Sequence, residues 1–356
     1  MKFKLIITNL TGGGAEKVIL TLAVELMKQE HDVEIVLLQN LIQHEVPNGI
    51  KITVLMQKPS RSWIGKRYVA NRLKKHIKSQ EKPDLIISAL PFANEISYLA
   101  NLPNHWCRID NTLGIEIDKL AVKNPKKAKR RLNRYRRIYN NRPLIAISNG
   151  MIDDLKNIGI TGKIVKIANP LDFADIKCKS DEYSVDETDY IIHVGRFNTQ
   201  KRHDILINAY KVSCIKQKLV LLGDHTTPQG QKIRKLVYGL GIEDKVIFMG
   251  FKPNPYPYIK NAKALMLSSD HEGLGMVLIE ALILGVPVVS TDCPSGPSEI
   301  LVNELSEFLS PVGDVEALSI NIRKMLKAPV KITDDYISKF DAGKIAKQYL
   351  ALCKND

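Results

Sequence analysis

Two glutamates in the second half of the chain stand where a carboxylate could bind hydroxyl groups. Glu272 lies on a glycine-rich turn after a predicted strand, and Glu280 lies inside an apolar helix predicted over 276–284. A carboxylate among apolar neighbours is costly unless it has partners, and the vicinal hydroxyls of a sugar are suitable ones. The alternative is a Glu280 that faces solvent, but this helix has no amphipathic phase to give it a polar face. The helix start also offers amides to hydroxyl or phosphate oxygens, those of Gly275, Met276 and Val277.

A second turn in the same half carries two cations. Gly195, Arg196 and Lys201 lie in GRFNTQK, which follows a predicted strand and leads into a helix. In an open α/β sheet, ligands bind at the carboxyl ends of the strands. A guanidinium and an ammonium group there suit the two phosphates of a diphosphate. Two solvated loop cations are the alternative interpretation.

The first turn of the chain, Thr11–Lys17, is rich in glycine and opens a helix. Gly13 and Gly14 would let the backbone approach a ligand closely, and the helix N-terminus favours an anion. The turn lacks the third glycine of the dinucleotide fingerprint and the ending of a P-loop. A tight turn without a ligand is therefore the alternative.

These turns must be positioned by strands, and short β-branched runs alternate with amphipathic helical stretches along the chain. Several runs are continuously apolar, as in parallel strands that helices cover on both faces. The pattern occurs twice and predicts an α/β protein with two doubly wound, Rossmann-like domains. The predicted strands are Lys4–Thr8, Val33–Leu38, Ile52–Leu55, Leu85–Ser88, Leu144–Ile147, Tyr190–Val194, Lys218–Leu222, Val246–Phe248, Ala264–Leu267 and Val286–Ser290.

Two domains also fit the length of 356 residues, at roughly 150 residues per domain. We predict an N-terminal domain over 1–172, a second domain over 173–335 and a final amphipathic helix over 336–356 that packs back on the first domain. The acidic stretch 172–189 has the weakest apolar periodicity, so we expect the linker there.

The composition, 44% hydrophobic and 25% charged, is that of a soluble globular protein and excludes a disordered or collagen-like chain. No run approaches about 18 consecutive apolar residues, so no membrane-spanning helix is expected. The N-terminus resembles a strand more than a signal peptide. Five scattered cysteines indicate a reduced, cytoplasmic protein, and the histidine spacing predicts no metal site.

Positive charge is confined to one half: residues 1–170 carry a net +15 and residues 171–356 a net −1. The charge concentrates in 58–82 and in 123–137, which has nine basic residues and no acid. Scarce aromatic residues and the lack of RNA-binding motifs disfavour nucleic acid, while a solvated basic surface stays an alternative. We expect a face that docks on an anionic membrane, formed by Trp63, Arg130, Arg131, Arg134, Arg136 and Arg137.

Five motifs occur in the order and spacing of glycosyltransferase family 4, which the chain resembles over almost its whole length. They are GGGAEK, GRFNTQK, the Glu272–Glu280 pair, GVPVVSTD and GPSEIL. The resemblance implies the GT-B fold, with two Rossmann-like domains facing across a cleft, and a retaining, metal-independent transfer without a cofactor. The chain looks most like bacterial members that extend lipopolysaccharide, capsule or lipid-linked oligosaccharides.

The resemblance also implies roles for the residues of these motifs. Arg196 and Lys201, in the turn with Gly195, would hold the donor diphosphate, and Glu280 would accept ribose hydroxyls. Glu272, with the amides of residues 275–277, would hold the transferred sugar. From the facing domain, the backbone would approach the diphosphate or acceptor at Gly13 and Gly14.

One position departs from the family pattern. Asp110 stands where many members have a histidine near the sugar or acceptor. A histidine role therefore does not transfer, and Asp110 is the candidate substitute; in a double displacement it would be the nucleophile.

The implied reaction transfers a sugar from a nucleotide diphosphate, usually UDP, to a hydroxyl of a glycan or lipid-linked glycan. The implied location is the cytoplasmic face of the inner membrane. A sugar-nucleotide epimerase or phosphorylase of the same architecture is the alternative, followed by a basic nucleic-acid-binding protein.

Overall fold

The structure, a computed structural model, describes residues 1–11 and 13–353. Gly12 of the first turn lies outside the described residues, as do residues 354–356 of the predicted final helix. The chain divides into two compact units. Residues 1–171 and the segment from Phe340 onward form the first unit, and residues 172–339 form the second.

The first unit is built on a parallel sheet whose strands have the spatial order 3-2-1-4-5-6-7. The chain extends the sheet from β1 in one direction and then from β4 in the other. The carboxyl ends of β1 and β4 therefore border a topological switch point, where open α/β sheets bind ligands. The strands are β1 (Lys2–Ile7), β2 (Asp32–Leu37), β3 (Lys51–Val54), β4 (Leu85–Ala89), β5 (His105–Ile109), β6 (Leu144–Ala146) and β7 (Ile164–Lys166).

Helices cover both faces of this sheet. They are α1 (Gly14–Lys28), α2 (Trp63–Lys78), α3 (Pro91–Ala100), α4 (Leu113–Lys123), α5 (Pro125–Tyr139) and α6 (Asn149–Asn157). Alternate side chains of β1 show the two faces: Leu5 and Ile7 belong to one apolar core, and Ile6 belongs to the other. The interpretation of continuous apolar runs as strands buried on both faces is confirmed.

The second unit is also a parallel, doubly wound sheet, with the strand order 10-9-8-11-12-13. Its switch point lies between β8 and β11. The strands are β8 (Tyr190–Val194), β9 (Lys218–Leu222), β10 (Val246–Gly250), β11 (Leu265–Leu267), β12 (Val288–Thr291) and β13 (Leu309–Ser310). The helices are α7 (Phe173–Lys179), α8 (His203–Ser213), α9 (Pro228–Gly239), α10 (Tyr256–Lys260), α11 (Met276–Ile283), α12 (Pro297–Ile300), α13 (Val315–Lys327) and α14 (Asp334–Ile337).

The last helix, α15 (Ala342–Leu352), returns to the first unit and packs on α1. Its buried Ile345 and Tyr349 share an apolar core with β1. The guanidinium of the fully buried Arg108, on β5, donates to the Tyr349 hydroxyl over 3.1 Å and to the side-chain oxygen of Asn169. One buried cation thus joins a strand, the segment before the unit boundary and the last helix.

Three strands were not predicted from the sequence. The run that forms β5 contains two polar residues, His105 and Arg108, both buried with side-chain hydrogen bonds inside the unit. A partnered polar residue interrupts the apolar signal without interrupting the strand. The strands β7 and β13 span only three and two residues, each ends in a polar residue, and neither is fully buried, so neither gives a continuous apolar run.

The expected linker over 172–189 is wrong in its first part, because α7 forms there. The Asp172 side chain caps this helix by accepting from the Asp175 amide over 3.0 Å, and Ile176 is buried. The expected helix over 336–356 is likewise wrong at its start. Tyr336 lies in α14, within the second unit, and its hydroxyl donates to Glu304.

No helix formed by residues 1–11 and 13–353 is both long enough and apolar enough to cross a lipid bilayer.

Candidate functional site

The predicted diphosphate turn follows β8, directly at the switch point of the second sheet. Its backbone approaches the loop after β9 closely: a Cβ on Gly223, which has φ +153°, would lie 2.1 Å from the carbonyl oxygen of Gly195. Only glycine fits such an approach at this φ. Arg196 is exposed, so its guanidinium faces solvent at the carboxyl edge of the sheet.

Two residues predicted to act on the same ligand form an ion pair with each other. Lys201 Nζ lies 2.7 Å from Glu272 Oε1, and the Ser269 hydroxyl donates to the same oxygen over 2.6 Å. The side chains of Lys201 and Glu272 are only 16% and 10% exposed. The structure therefore brings the turn after β8 and the turn after β11 together through opposite, largely buried charges.

Further hydrogen bonds join the same two turns. The Ser268 hydroxyl donates to the carbonyl oxygens of Lys201 and Arg202, over 2.8 and 3.0 Å. The Gln200 side chain donates to the carbonyl of His271 over 2.8 Å, and Arg202 pairs with Asp270 over 3.0 Å. These contacts make the two turns one surface.

Helix α11 begins beside this surface, as the sequence predicts. Gly275 precedes it with φ +82°, a left-handed conformation that glycine adopts without strain. Met276 and Val277 form the half-buried first turn. A helix N-terminus of this kind presents amides and a positive dipole end to an anion.

Glu280 is half-buried on α11, neither enclosed in the core nor fully solvated. The Tyr256 hydroxyl, at the start of α10, donates to Glu280 Oε1 over 3.0 Å. Burial and then the neighbouring carboxylate raise the pKa of Tyr256, so this hydroxyl stays protonated and donates. Tyr256 thus orients one carboxylate oxygen of Glu280.

A buried cluster of aromatic rings packs against the turn after β8. The ring of Phe197 stacks on His203 at 4.2 Å, and His193 contacts His203 edge-on at 4.6 Å. Burial lowers the pKa of His193 to about 4 and that of His203 to about 2. Neither ring nitrogen of His203 has a hydrogen-bond partner among the described residues. Both imidazoles are therefore neutral in the folded protein at neutral pH.

The first unit holds the other predicted ligand-binding glycines. Gly13 caps α1, where a Cβ would overlap the Glu16 carboxylate at 2.2 Å, whereas a Cβ on Gly14 would meet no atom within 4 Å. The group that closely approaches Gly13 is thus the Glu16 side chain, from the helix that Gly13 caps. His44 Nε2 lies 3.3 Å from the Gly13 carbonyl oxygen.

Asp110 follows β5 and is paired with Arg108. Arg108 Nε donates to Asp110 Oδ1 over 3.0 Å, and the other oxygen, Oδ2, is buried without a hydrogen-bond partner among the described residues. The carboxylate is held in one orientation by a cation that α15 and Asn169 hold in turn.

The five arginines of α5 that the sequence assigns to a membrane-facing set differ in exposure. Arg130, Arg136 and Arg137 are exposed, although Arg136 Nε also donates to a backbone carbonyl, that of Ile158. Arg131 and Arg134 are half-buried and line a cavity in the first unit. The predicted set is therefore not uniformly exposed, and the membrane contact itself stays a prediction.

Trp63 at the start of α2 is 70% exposed, with Ile64 and Tyr68 exposed beside it. Leu73 and Ile77, further along the same helix, are buried in the core. Only the first turns of α2 present apolar side chains to solvent.

Sequence reasoning missed the residues that orient the site: Ser269, Tyr256, Arg202 and His203. The spacing of these residues in the sequence does not predict their contacts. Tyr256 and Glu280, for example, are brought together only by the packing of α10 on α11. Ser269 alone had a signal, since it stands three residues before Glu272 on one turn. Across the described ranges, no group of three or more His, Cys, Asp or Glu residues is arranged to hold a metal ion.

Comparison with known proteins places both units in described families. The family Glycosyltransferase Family 4 matches residues 12–175, and the family Glycosyl transferases group 1 matches residues 177–340. The two matches together span nearly the whole chain.

Two curated relatives are enzymes of bacterial glycan synthesis. The chain is 28% identical to the Campylobacter jejuni N-acetylgalactosamine-N,N'-diacetylbacillosaminyl-diphospho-undecaprenol 4-alpha-N-acetylgalactosaminyltransferase, over 98% of both chains. It is 31% identical to the Escherichia coli lipopolysaccharide 1,6-galactosyltransferase, over 55% of this chain and 58% of that enzyme.

Two solved structures share the fold over essentially the full length. The lipopolysaccharide outer core galactosyltransferase WaaB superposes with a TM-score of 0.74 at 21% identity, covering 99% of both chains. Anabaena Alr3699/HepE, in complex with UDP and glucose, superposes with a TM-score of 0.78 at 19% identity, covering 100% of both. The predicted two-domain fold, GT-B, is confirmed.

The buried histidines predict an acid-sensitive second unit. Below pH 6.5 the unfolded chain binds a proton at His203, whereas the folded chain does not until about pH 2. The unfolded state then binds more protons, so stability falls as the pH falls, by about 1.4 kcal/mol per pH unit for this group.

We therefore expect His203→Leu to flatten the decline of the urea unfolding midpoint between pH 6 and pH 4.5. Carboxylates also titrate in this range, so the measured quantity is the difference in slope between wild type and variant. Parallel slopes would contradict the assignment of a neutral buried imidazole.

Proposed function

This chain belongs to glycosyltransferase family 4 and is a glycosyltransferase, and we propose that it moves a sugar from UDP-sugar to a lipid-linked glycan with retention of anomeric configuration. The observation that carries this proposal is the surface at the β8–β11 switch point. There the turn that holds Arg196 and Lys201 is joined to the turn of Glu272, which leads into the N-terminus of α11. Cations, a carboxylate and amides at one sheet edge match the parts of a nucleoside diphosphate sugar.

In this proposal the donor lies along the two turns. The exposed Arg196 and the oriented Lys201 bind the diphosphate, with Gly195 allowing the backbone to approach. Glu280, oriented by Tyr256, accepts the ribose hydroxyls. Glu272 and the amides of residues 275–277 bind the hydroxyls of the transferred sugar.

The chemical step uses electrostatic stabilisation. The bond between the anomeric carbon and the diphosphate oxygen breaks, and negative charge grows on the leaving diphosphate near Arg196 and Lys201. The acceptor oxygen bonds to the same face of the carbon, and its proton passes to a diphosphate oxygen. No protein base, cofactor or metal ion is required by this route.

The relatives support the choice of donor and acceptor. The Anabaena structure contains UDP and glucose, and the name of the Campylobacter enzyme specifies an acceptor on diphospho-undecaprenol. We propose the same classes here: a UDP-sugar and a glycan carried on a lipid, in the synthesis of bacterial surface polysaccharide.

A lipid-borne acceptor requires the enzyme to work at a membrane surface. The exposed Arg130, Arg136 and Arg137 on α5 and Trp63 on α2 form the proposed contact with the anionic cytoplasmic face of the inner membrane. Each cation near such a surface contributes about 1 kcal/mol, and an exposed tryptophan suits the interface.

Glu280→Ala should weaken UDP binding about tenfold or more, because a charge-assisted hydrogen bond to the ribose is lost. Isothermal titration calorimetry with UDP measures the effect, and Tyr256→Phe should give a smaller loss of the same sign. Glu316→Ala, an exposed glutamate on α13, is the control and should bind UDP as wild type does. Equal affinity of Glu280→Ala and wild type would remove Glu280 from the donor site.

Arg196→Ala should lower kcat strongly and leave the melting temperature nearly unchanged, since the Arg196 side chain is exposed. Steady-state kinetics and thermal unfolding measure the two quantities.

Transfer should continue in excess EDTA. The measurement is UDP release with an acceptor, before and after chelation. Loss of activity in EDTA with rescue by magnesium or manganese would sink the metal-independent mechanism.

Arg130→Ser/Arg137→Ser should reduce co-sedimentation with phosphatidylglycerol vesicles, and salt should reduce the wild-type binding through screening. The matched control is Lys232→Ser/Lys235→Ser, an equal loss of exposed charge on α9. Equal binding to neutral and anionic vesicles would contradict the membrane contact.

A further inference from the structure

A cavity of about 550 Å³ opens at the switch point of the first sheet. Thr8 and Asn9, which follow β1, and Leu90, which follows β4, are among the residues that line it. Ligand pockets typically enclose about 300–1,000 Å³ and lie at such positions in α/β sheets. Every lining residue belongs to the first unit.

The charges in this cavity do not balance. Four cations line it against two carboxylates, Glu95 and Glu116. The cations come from the chain just before α2, from α2 itself and from α5; they are Arg61, Lys66, Arg131 and Arg134. The surplus of two positive charges lies in a partly enclosed space, where repulsion between cations is screened less than on an open surface.

The carboxylates orient some cations and leave others available. Lys66 Nζ contacts both oxygens of Glu95, over 2.8 and 2.9 Å, so the Arg134 guanidinium reaches Glu95 only at 3.7 Å. Arg131 pairs with Glu116, which also accepts from the Tyr135 hydroxyl over 3.2 Å.

Arg61 is the cation with the fewest constraints. Its guanidinium lies over the Phe92 ring at 5.0 Å, and within the part of the chain that the structure describes it makes no ion pair. Guanidinium groups bind phosphate oxygens in a bidentate fashion, and stacking on an aromatic ring leaves the N–H edge available.

We propose that this cavity binds the diphosphate of the lipid-linked acceptor, an inference that rests on the proposed function. A diphosphate esterified at both ends carries one negative charge on each phosphate, and one esterified at a single end carries about one more, so the positive surplus of the lining favours either. Arg61, Arg131 and Arg134 donate to the phosphate oxygens, and Phe92 and Tyr135 leave apolar surface for the attached sugar or lipid. The site selects acceptors by their carrier and is separate from the donor diphosphate site, whose proposed residues lie in the second unit.

The test is calorimetric binding of farnesyl diphosphate in saturating UDP, which occupies the donor site. Arg131→Gln/Arg134→Gln should weaken binding at least about tenfold, because two charge-assisted contacts are lost. Lys126→Gln/Lys129→Gln removes the same charge from exposed positions of α5 and should change affinity by less than about twofold. Arg61→Gln, at an exposed position, should weaken binding without affecting the fold.

Three results would overturn the proposal: no binding to the wild type, equal losses in both double variants, or farnesol binding as tightly as farnesyl diphosphate. Free pyrophosphate is the remaining arm. If it binds as tightly as farnesyl diphosphate, the site recognises a soluble anion and the acceptor assignment is wrong. UDP binding to the wild type is measured first and tests the proposed function by itself. If UDP does not bind, the same farnesyl diphosphate titrations are made in the Arg196→Ala background, in which the cationic turn of the second unit is weakened.

Discussion

The ion pair between Lys201 and Glu272 is the contact on which the second unit's site depends. Lys201 stands on the turn after β8 and Glu272 on the turn after β11, so their attraction sets the distance between the two walls of the switch point. Both side chains are largely buried, and losing one partner of such a pair typically costs about 3–5 kcal/mol. A donor diphosphate would meet a lysine that is already oriented, so less reorganisation is needed as charge develops.

Arg108 has the corresponding role in the first unit. Its guanidinium holds Asp110, Asn169 and Tyr349, which belong to a strand end, the segment before the unit boundary and the last helix. A fully buried cation is tolerated because these acceptors, one of them charged, satisfy its donors. Asp110, the predicted substitute for the family's histidine, is thus a carboxylate with a fixed orientation, and α15 contributes to that orientation although it is the last helix of the described chain.

The basic residues of α5 divide into exposed ones and ones that line a cavity. On α5, Arg130 and Arg137 are exposed, whereas Arg131 and Arg134 are half-buried and line a cavity. The positive charge of the first unit therefore lies on two surfaces with different surroundings. One is a solvated surface, and the other is a partly enclosed cluster of cations.

The sequence by itself determined the two doubly wound sheets, because buried parallel strands need apolar runs and their turns need glycine at defined positions. The sequence also predicted the helix α11 that carries Glu280 and the cationic turn at Arg196, since each of these is a local pattern. Only the tertiary structure decided that Lys201 pairs with Glu272, that Tyr256 orients Glu280 and that Arg131 and Arg134 turn inward. These pairings join segments far apart along the chain, or depend on which helix face meets a neighbour. Local periodicity does not predict long-range pairings or the neighbour that a helix face meets, because tertiary packing decides both.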